Sequence, residues 1–89
     1  MKKKAVTLKY DPLTGDSPKV TAKGTGIVAQ KIIDLAQEHG IPVKKDPDLV
    51  EVLSKLEINQ EIPEEIYVAV AELLAFVYSI NKKAVGIRQ

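Results

Sequence analysis

Residues 18–26 read PKVTAKGTG, and this stretch decides how the elements around it are arranged. Lys19 to Lys23 favour a β-strand, and the glycines at 24 and 26 then break the pattern. An amphipathic segment follows directly, so the break predicts a strand-to-helix turn with Thr25 or a neighbouring glycine as the helix cap. Upstream, residues 5–10 alternate between apolar and polar side chains, which predicts a half-buried strand.

Glycine and proline positions divide the rest of the chain. Gly40 is expected to end the first helix in a left-handed conformation, and residues 41–44 form a short apolar strand. Asp46 and Pro47 predict the start of a second helix, and Pro63 predicts the start of a third. The fold class is therefore α/β (α+β), with a small mixed sheet of about three strands packed with three main helices.

Length and composition predict one domain over residues 1–80, followed by a flexible tail over residues 81–89. The 89 residues carry 13 basic and 12 acidic side chains, for a net charge of +1, and contain no cysteine. This balance predicts no strong general attraction to nucleic acid or to a membrane surface. The longest apolar run, residues 66–80, includes a glutamate and is shorter than the roughly 20 residues that span a bilayer. We expect a cytoplasmic protein without direct membrane insertion.

Residues able to carry catalysis or bind a metal are few. His39 is the only histidine, and its place at a predicted helix C-terminus favours a role in capping. Asp46, Asp48, Glu64 and Glu65 are all explained by the starts of helices. The Gly-x-Gly at residues 24–26 lacks the third glycine and the acidic residue of a dinucleotide-binding turn. The sequence predicts a protein that is not an enzyme and has no cofactor or metal.

Lysines are concentrated on the two predicted N-terminal strands, at positions 2, 3, 4, 9, 19 and 23. One interpretation is a small basic nucleic-acid- or ribosome-associated domain, which remains the alternative function. Against it, only Tyr10 among the aromatic residues is interleaved with these lysines. Lysines on a solvated edge strand, where their charge discourages pairing with another chain, explain the same pattern. Nucleic acid is therefore not an expected partner.

The last predicted helix carries two apolar stripes, which are separated by about 110° around its axis. The first consists of Ile66, Val70, Leu73, Val77 and Ile80, and the second of Tyr67, Ala71, Leu74 and Tyr78. One stripe is enough to pack a terminal helix against a small sheet. The second stripe is either core as well, or in part a groove in which a short peptide docks.

Four segments resemble the cytoplasmic C-terminal domain of the FlhB/YscU family, the switch proteins of flagellar and injectisome type III export. They are AVTLKYD at residues 5–11, PKVTAKG at 18–24, INQEIPEEIY at 58–67 and AVAELLA at 69–75. The resemblance implies a non-enzymatic binding module of the flagellar type III protein export apparatus. It also implies a cytoplasmic location, with recruitment to the membrane-embedded export gate.

The same resemblance implies where partners dock. In the family, a small residue and a proline form an apolar patch with an alanine and a leucine of the last helix, at positions matching Ser17, Pro18, Ala71 and Leu74. Export substrates with a short hydrophobic motif, and components of the export apparatus, are the implied partners. With the two tyrosines of the second stripe, the predicted docking patch comprises Ser17, Pro18, Tyr67, Ala71, Leu74 and Tyr78.

Self-cleavage is the family property that the sequence does not support. The family cuts itself within an Asn-Pro-Thr-His motif, whereas Asn59 and Asn81 are the only asparagines here and neither precedes a proline. The chain resembles a free-standing paralogue of the cleaved fragment. In the family the sheet also gains a strand from the segment upstream of the cut. We therefore expect an open sheet edge that could pair with the upstream fragment of a full-length FlhB, unless the N-terminal lysines discourage it.

Overall fold

A computed structural model describes residues 3–11, 13, 17–80 and 82–89. Its elements are β1 (Lys4–Lys9), β2 (Lys19–Thr25), α1 (Ile27–Glu38), β3 (Val43–Lys45), α2 (Pro47–Leu53), α3 (Glu64–Ser79) and β4 (Ala84–Arg88). The mixed α+β fold with three helices confirms the predicted class.

The four strands form one sheet in the order β2-β1-β4-β3. Strand β1 runs antiparallel to both β2 and β4, whereas β3 runs parallel to β4. Alternate side chains of β1 point to opposite faces of the sheet. Val6 and Leu8 join the main core with α2 and α3, and Ala5 packs with Ala29 and Ile33 of α1. The sheet is therefore a middle layer between α1 and the other two helices.

Residues 84–88 correct the prediction of a flexible tail over residues 81–89. They form β4, which lies inside the sheet and raises the number of strands from about three to four. Val85, Gly86 and Ile87 are all buried. The prediction failed because the segment is short and contains a glycine, so its alternation is weak, while the two strands that hold it are distant in sequence.

The expected open sheet edge does not lie beside β1, because β1 has a partner strand on each side. The free edges of the sheet belong instead to β3 and to part of β2. The beginning of β2 is covered by the segment before α3, through a bridge between Lys19 and Glu61.

The predicted helix boundaries are confirmed where their capping residues are visible in the sequence. Gly40 has φ of 70°, in the left-handed region, after α1 ends. The Asp46 carboxylate accepts a hydrogen bond from the backbone N–H of Leu49 at 3.0 Å, and Pro47 is the first residue of α2. Gly26, one of the predicted alternatives to Thr25, caps α1.

Candidate docking surface

Hydrogen bonds bring the two diagnostic segments of the sequence together. The backbone N–H of Asn59 donates to the carbonyl of Val20 at 2.7 Å, and the N–H of Val20 donates to the carbonyl of Gln60 at 3.2 Å. The N–H of Ile62 donates to the carbonyl of Pro18 at 3.0 Å. Residues 59–62 thus lie along the outer edge of β2, and they place Pro18 close to the start of α3.

Helix α3 buries a line of side chains that lies between the two predicted stripes. Val70, Leu74 and Val77 are almost fully buried, whereas Ile66 and Leu73 pack against the core from its margin. The buried line therefore includes Val70 and Val77 from the first stripe and Leu74 from the second. The tyrosines of the second stripe lie farther around the helix, at the surface.

The six residues of the predicted docking patch fall into three levels of exposure. Pro18 and Leu74 are buried, Ser17 and Ala71 are partly buried, and Tyr67 and Tyr78 are 38% and 46% exposed. Leu74 belongs to the main core together with Val20, which lies two residues after Pro18. The buried members can therefore form only the floor of a docking surface.

The two tyrosines do not meet. They are eleven residues apart on α3, which separates them by about 16 Å along the helix axis. Because they lie on the same side of the helix, with Ala71 between them, they can serve as the two ends of an elongated surface. They cannot line one compact pocket.

A groove on the other side of α3 was not predicted. It has a volume of about 420 Å³ and is lined by α3, β3 and the beginning of α2, with Ala69, Leu73 and Phe76 on the helix side. Phe76 is 57% exposed. Their spacing of i, i+4 and i+7 places the three side chains on one side of the helix. This spacing is the sequence pattern from which the groove could have been predicted.

Several N-terminal lysines hold elements of the fold together. The Lys23 ammonium donates to the carbonyl of Leu56 at 2.7 Å, just after α2 ends. Lys4 lies 2.6 Å from the Glu51 carboxylate and lowers the pKa of that carboxyl, first through its hydrogen bond and then through its charge. These contacts give the lysines structural roles, and they do not favour the interpretation of a basic nucleic-acid-binding face.

Within residues 3–11, 13, 17–80 and 82–89, no helix is both long enough and apolar enough to cross a membrane. Over the same part of the chain, no cluster of three or more His, Cys, Asp or Glu side chains is placed to hold a metal ion.

Comparison with solved structures supports the fold. The chain is similar to the crystal structure of the PscU C-terminal domain, with a TM-score of 0.77 and 31% sequence identity. The match covers 83% of this chain and 95% of that one.

Comparison with known sequences gives relatives of two sizes. YlqH of Bacillus subtilis (strain 168) is 40% identical over 80 residues, covering 90% of this chain and 86% of YlqH. The flagellar biosynthetic protein FlhB of Aquifex aeolicus is 42% identical and that of Salmonella typhimurium 40% identical, with 89% and 88% of this chain covered. The chain spans only 23% and 21% of the length of these two FlhB proteins.

The family model described as "FlhB HrpN YscU SpaS Family" matches residues 2–77. This match includes β1 to β3, α1, α2 and most of α3. Sequence and structure thus agree over most of the chain, which belongs to the FlhB HrpN YscU SpaS family of export proteins.

Proposed function

We propose that this domain is a non-enzymatic binding module of the flagellar type III export apparatus. In this role it does what the matching part of FlhB does, and binds export substrates or components of the export gate. The observation that carries the proposal is the family match over residues 2–77, together with about 40% identity to FlhB from several bacteria. The proposed location is the cytoplasm, with recruitment to the export gate.

The proposed binding surface is the predicted docking patch. Leu74 and Pro18 supply a buried apolar floor, and Tyr67 and Tyr78 stand partly exposed at its two ends. Exposed aromatic side chains next to a packed apolar floor suit an apolar peptide, since tyrosine offers contact area at little cost in conformational entropy. A short hydrophobic motif of an export substrate is the ligand that this surface fits.

Docking through side chains is favoured over addition of a strand beside β1. An upstream fragment of a full-length FlhB could pair beside β1 only by displacing β2 or β4, which occupy its two edges. Docking of an export substrate on the patch needs no such displacement.

A peptide titration followed by NMR tests the proposal. The ¹⁵N-labelled protein is titrated with a peptide from a flagellar hook subunit that contains a short hydrophobic motif. We expect shift changes at Tyr67, Ala71 and Tyr78. A Tyr78→Ala variant should bind on the order of ten-fold more weakly, as for an aromatic residue that anchors an interface.

The matched control is Phe76→Ala, which removes another exposed aromatic ring from the same helix two residues away. It should leave peptide binding unchanged, because Phe76 lies on the side of α3 that carries the unpredicted groove. Equal loss of binding in both variants, or no binding by the unmodified protein, would contradict the proposed surface.

A further inference from the structure

One of the two central strands of the sheet, β4, lies outside the part of the chain that the family model matches. That match ends at residue 77, whereas β4 begins at Ala84. The neighbours of β4 are β1 and β3, and both lie inside the matched part. Without β4, these two strands would stand about 9–10 Å apart, which is twice the spacing of paired strands. The shared part of the fold thus contains a slot of one strand's width.

Backbone groups line both walls of this slot. Residues Ala5 to Lys9 pair with β4 on one side, and Val43 to Lys45 pair with it on the other. Bonds at the ends extend the pairing: the N–H of Gly86 donates to the carbonyl of Pro42 at 2.8 Å, and the N–H of Gln89 donates to that of Lys4 at 3.1 Å. Buried backbone groups need such partners, so an empty slot would be unfavourable.

The two faces of the slot select side chains by size. Val85 and Ile87 are fully buried in the main core, between the sheet and helices α2 and α3. On the other face, a Cβ atom at Gly86 would lie 3.2 Å from Cγ2 of Val43. That approach is tighter than ordinary van der Waals contact. The slot therefore fits a large apolar residue, a very small residue and a second large apolar residue in succession.

We infer that the gap between β1 and β3 is a strand-binding site, which this chain fills with its own residues 84–88. The ligand class is a short extended segment with the pattern apolar–small–apolar, antiparallel to β1 and parallel to β3. Strand β4 is the occupant in this molecule, and an added segment of the same pattern can replace it.

The connection to β4 makes this exchange testable in the full chain. Helix α3 ends at Ser79, and the exposed Lys82 and Lys83 precede β4. A recognition sequence for a specific protease is inserted between these two lysines. Circular dichroism first verifies that the uncut protein keeps its fold. The cut protein is then mixed with an excess of a fluorescent peptide of sequence KAVGIRQ, corresponding to residues 83–89.

Retention of the native fragment after cutting, followed by its replacement with the fluorescent peptide, is the expected result. If cutting unfolds the protein, the added peptide should restore the native NMR spectrum. Three results would each overturn the inference: release of the fragment from a sheet that remains native, retention without exchange, and failure of the peptide to restore an unfolded protein.

Variant peptides test the size selection. A Gly86→Val peptide keeps a good strand-forming residue but overfills the position beside Val43, so it should compete on the order of ten-fold more weakly. An Ala84→Ser peptide is the matched control, because Ala84 is partly exposed at the beginning of the strand. It should compete like the native sequence. Equal competition by the Gly86→Val peptide would exclude the proposed selection.

Discussion

At the scale of single residues, Lys23 joins β2 to the end of α2, although its position in the sequence predicted a solvent-exposed side chain. The side chain extends from β2, and its ammonium donates to the carbonyls of Leu56 at 2.7 Å and Ser54 at 3.4 Å. Carbonyls at the end of a helix lack partners within the helix, and a cation there also meets the negative end of the helix dipole. Lys23 thus stabilises the end of α2 against the sheet.

Replacing this lysine should destabilise the fold without altering its core. We expect Lys23→Gln to lower the free energy of unfolding by about 1–2 kcal/mol, since a hydrogen bond from a charged donor is lost. Urea denaturation measures the change. Lys31→Gln on the exposed side of α1 is the control and should change stability by less than about 0.5 kcal/mol. Equal stability of the two variants would show that the Lys23 contact contributes nothing.

Leu74 and Tyr78 distinguish the floor of the docking patch from its surface. Leu74 is 4% exposed in the main core, whereas Tyr78 is 46% exposed four residues later. Leu74→Asp should prevent folding, because it places an unpaired charge in a small core. Tyr78→Asp should fold and lose only peptide binding. Circular dichroism of both variants provides the test, and a folded Leu74→Asp protein would show that Leu74 belongs to an open groove.

At the scale of elements, α1 approaches β2 closely at Gly24. A Cβ atom built on Gly24 would overlap Cγ1 of Val28 and lie 3.1 Å from Cδ1 of Ile32. The helix can rest this close to the strand because the strand has no side chain at that position. The glycine that ends the PKVTAKG segment thus lies inside β2 and has a packing role.

A double-mutant cycle measures this close approach. Gly24→Ala should lower the free energy of unfolding by about 1–3 kcal/mol through overpacking. Val28→Ala alone should cost little, because Val28 is 53% exposed. The double variant should recover part of the loss, since removing Cγ1 of Val28 relieves the worst overlap but leaves its Cβ atom 3.0 Å from the new methyl group. Additive losses would contradict the close packing of α1 on this glycine.

At the scale of the whole molecule, local patterns predicted the helices but missed β4, one of the two central strands of the sheet. Asp46, Pro47 and Gly40 mark helix boundaries through chemistry that acts within a few residues, so sequence alone placed them correctly. Strand β4 forms only by pairing with two strands that come much earlier in the chain, and Gly86 is needed because Val43 of the neighbouring strand lies close to it. These contacts between distant residues produce no pattern in the sequence around residues 84–88.

The candidate site shows the same limit. Helical periodicity identified both stripes of α3, but it could not tell which side of each would be buried. The burial of Leu74 and the exposure of Tyr78 depend on how the helix is rotated against the sheet. That rotation is set by packing of the whole core. Phe76 was overlooked because it belongs to neither of the two stripes.

The proposed role in export is tested most directly in flagellated cells. Their FlhB is truncated before the region that this chain matches, this chain is expressed separately, and secretion of hook and filament subunits is measured. The account predicts that secretion returns, and that Tyr78→Ala reduces it while Phe76→Ala does not. Absence of secretion, with the chain folded and present at normal levels, would contradict the claim that it acts as an export module.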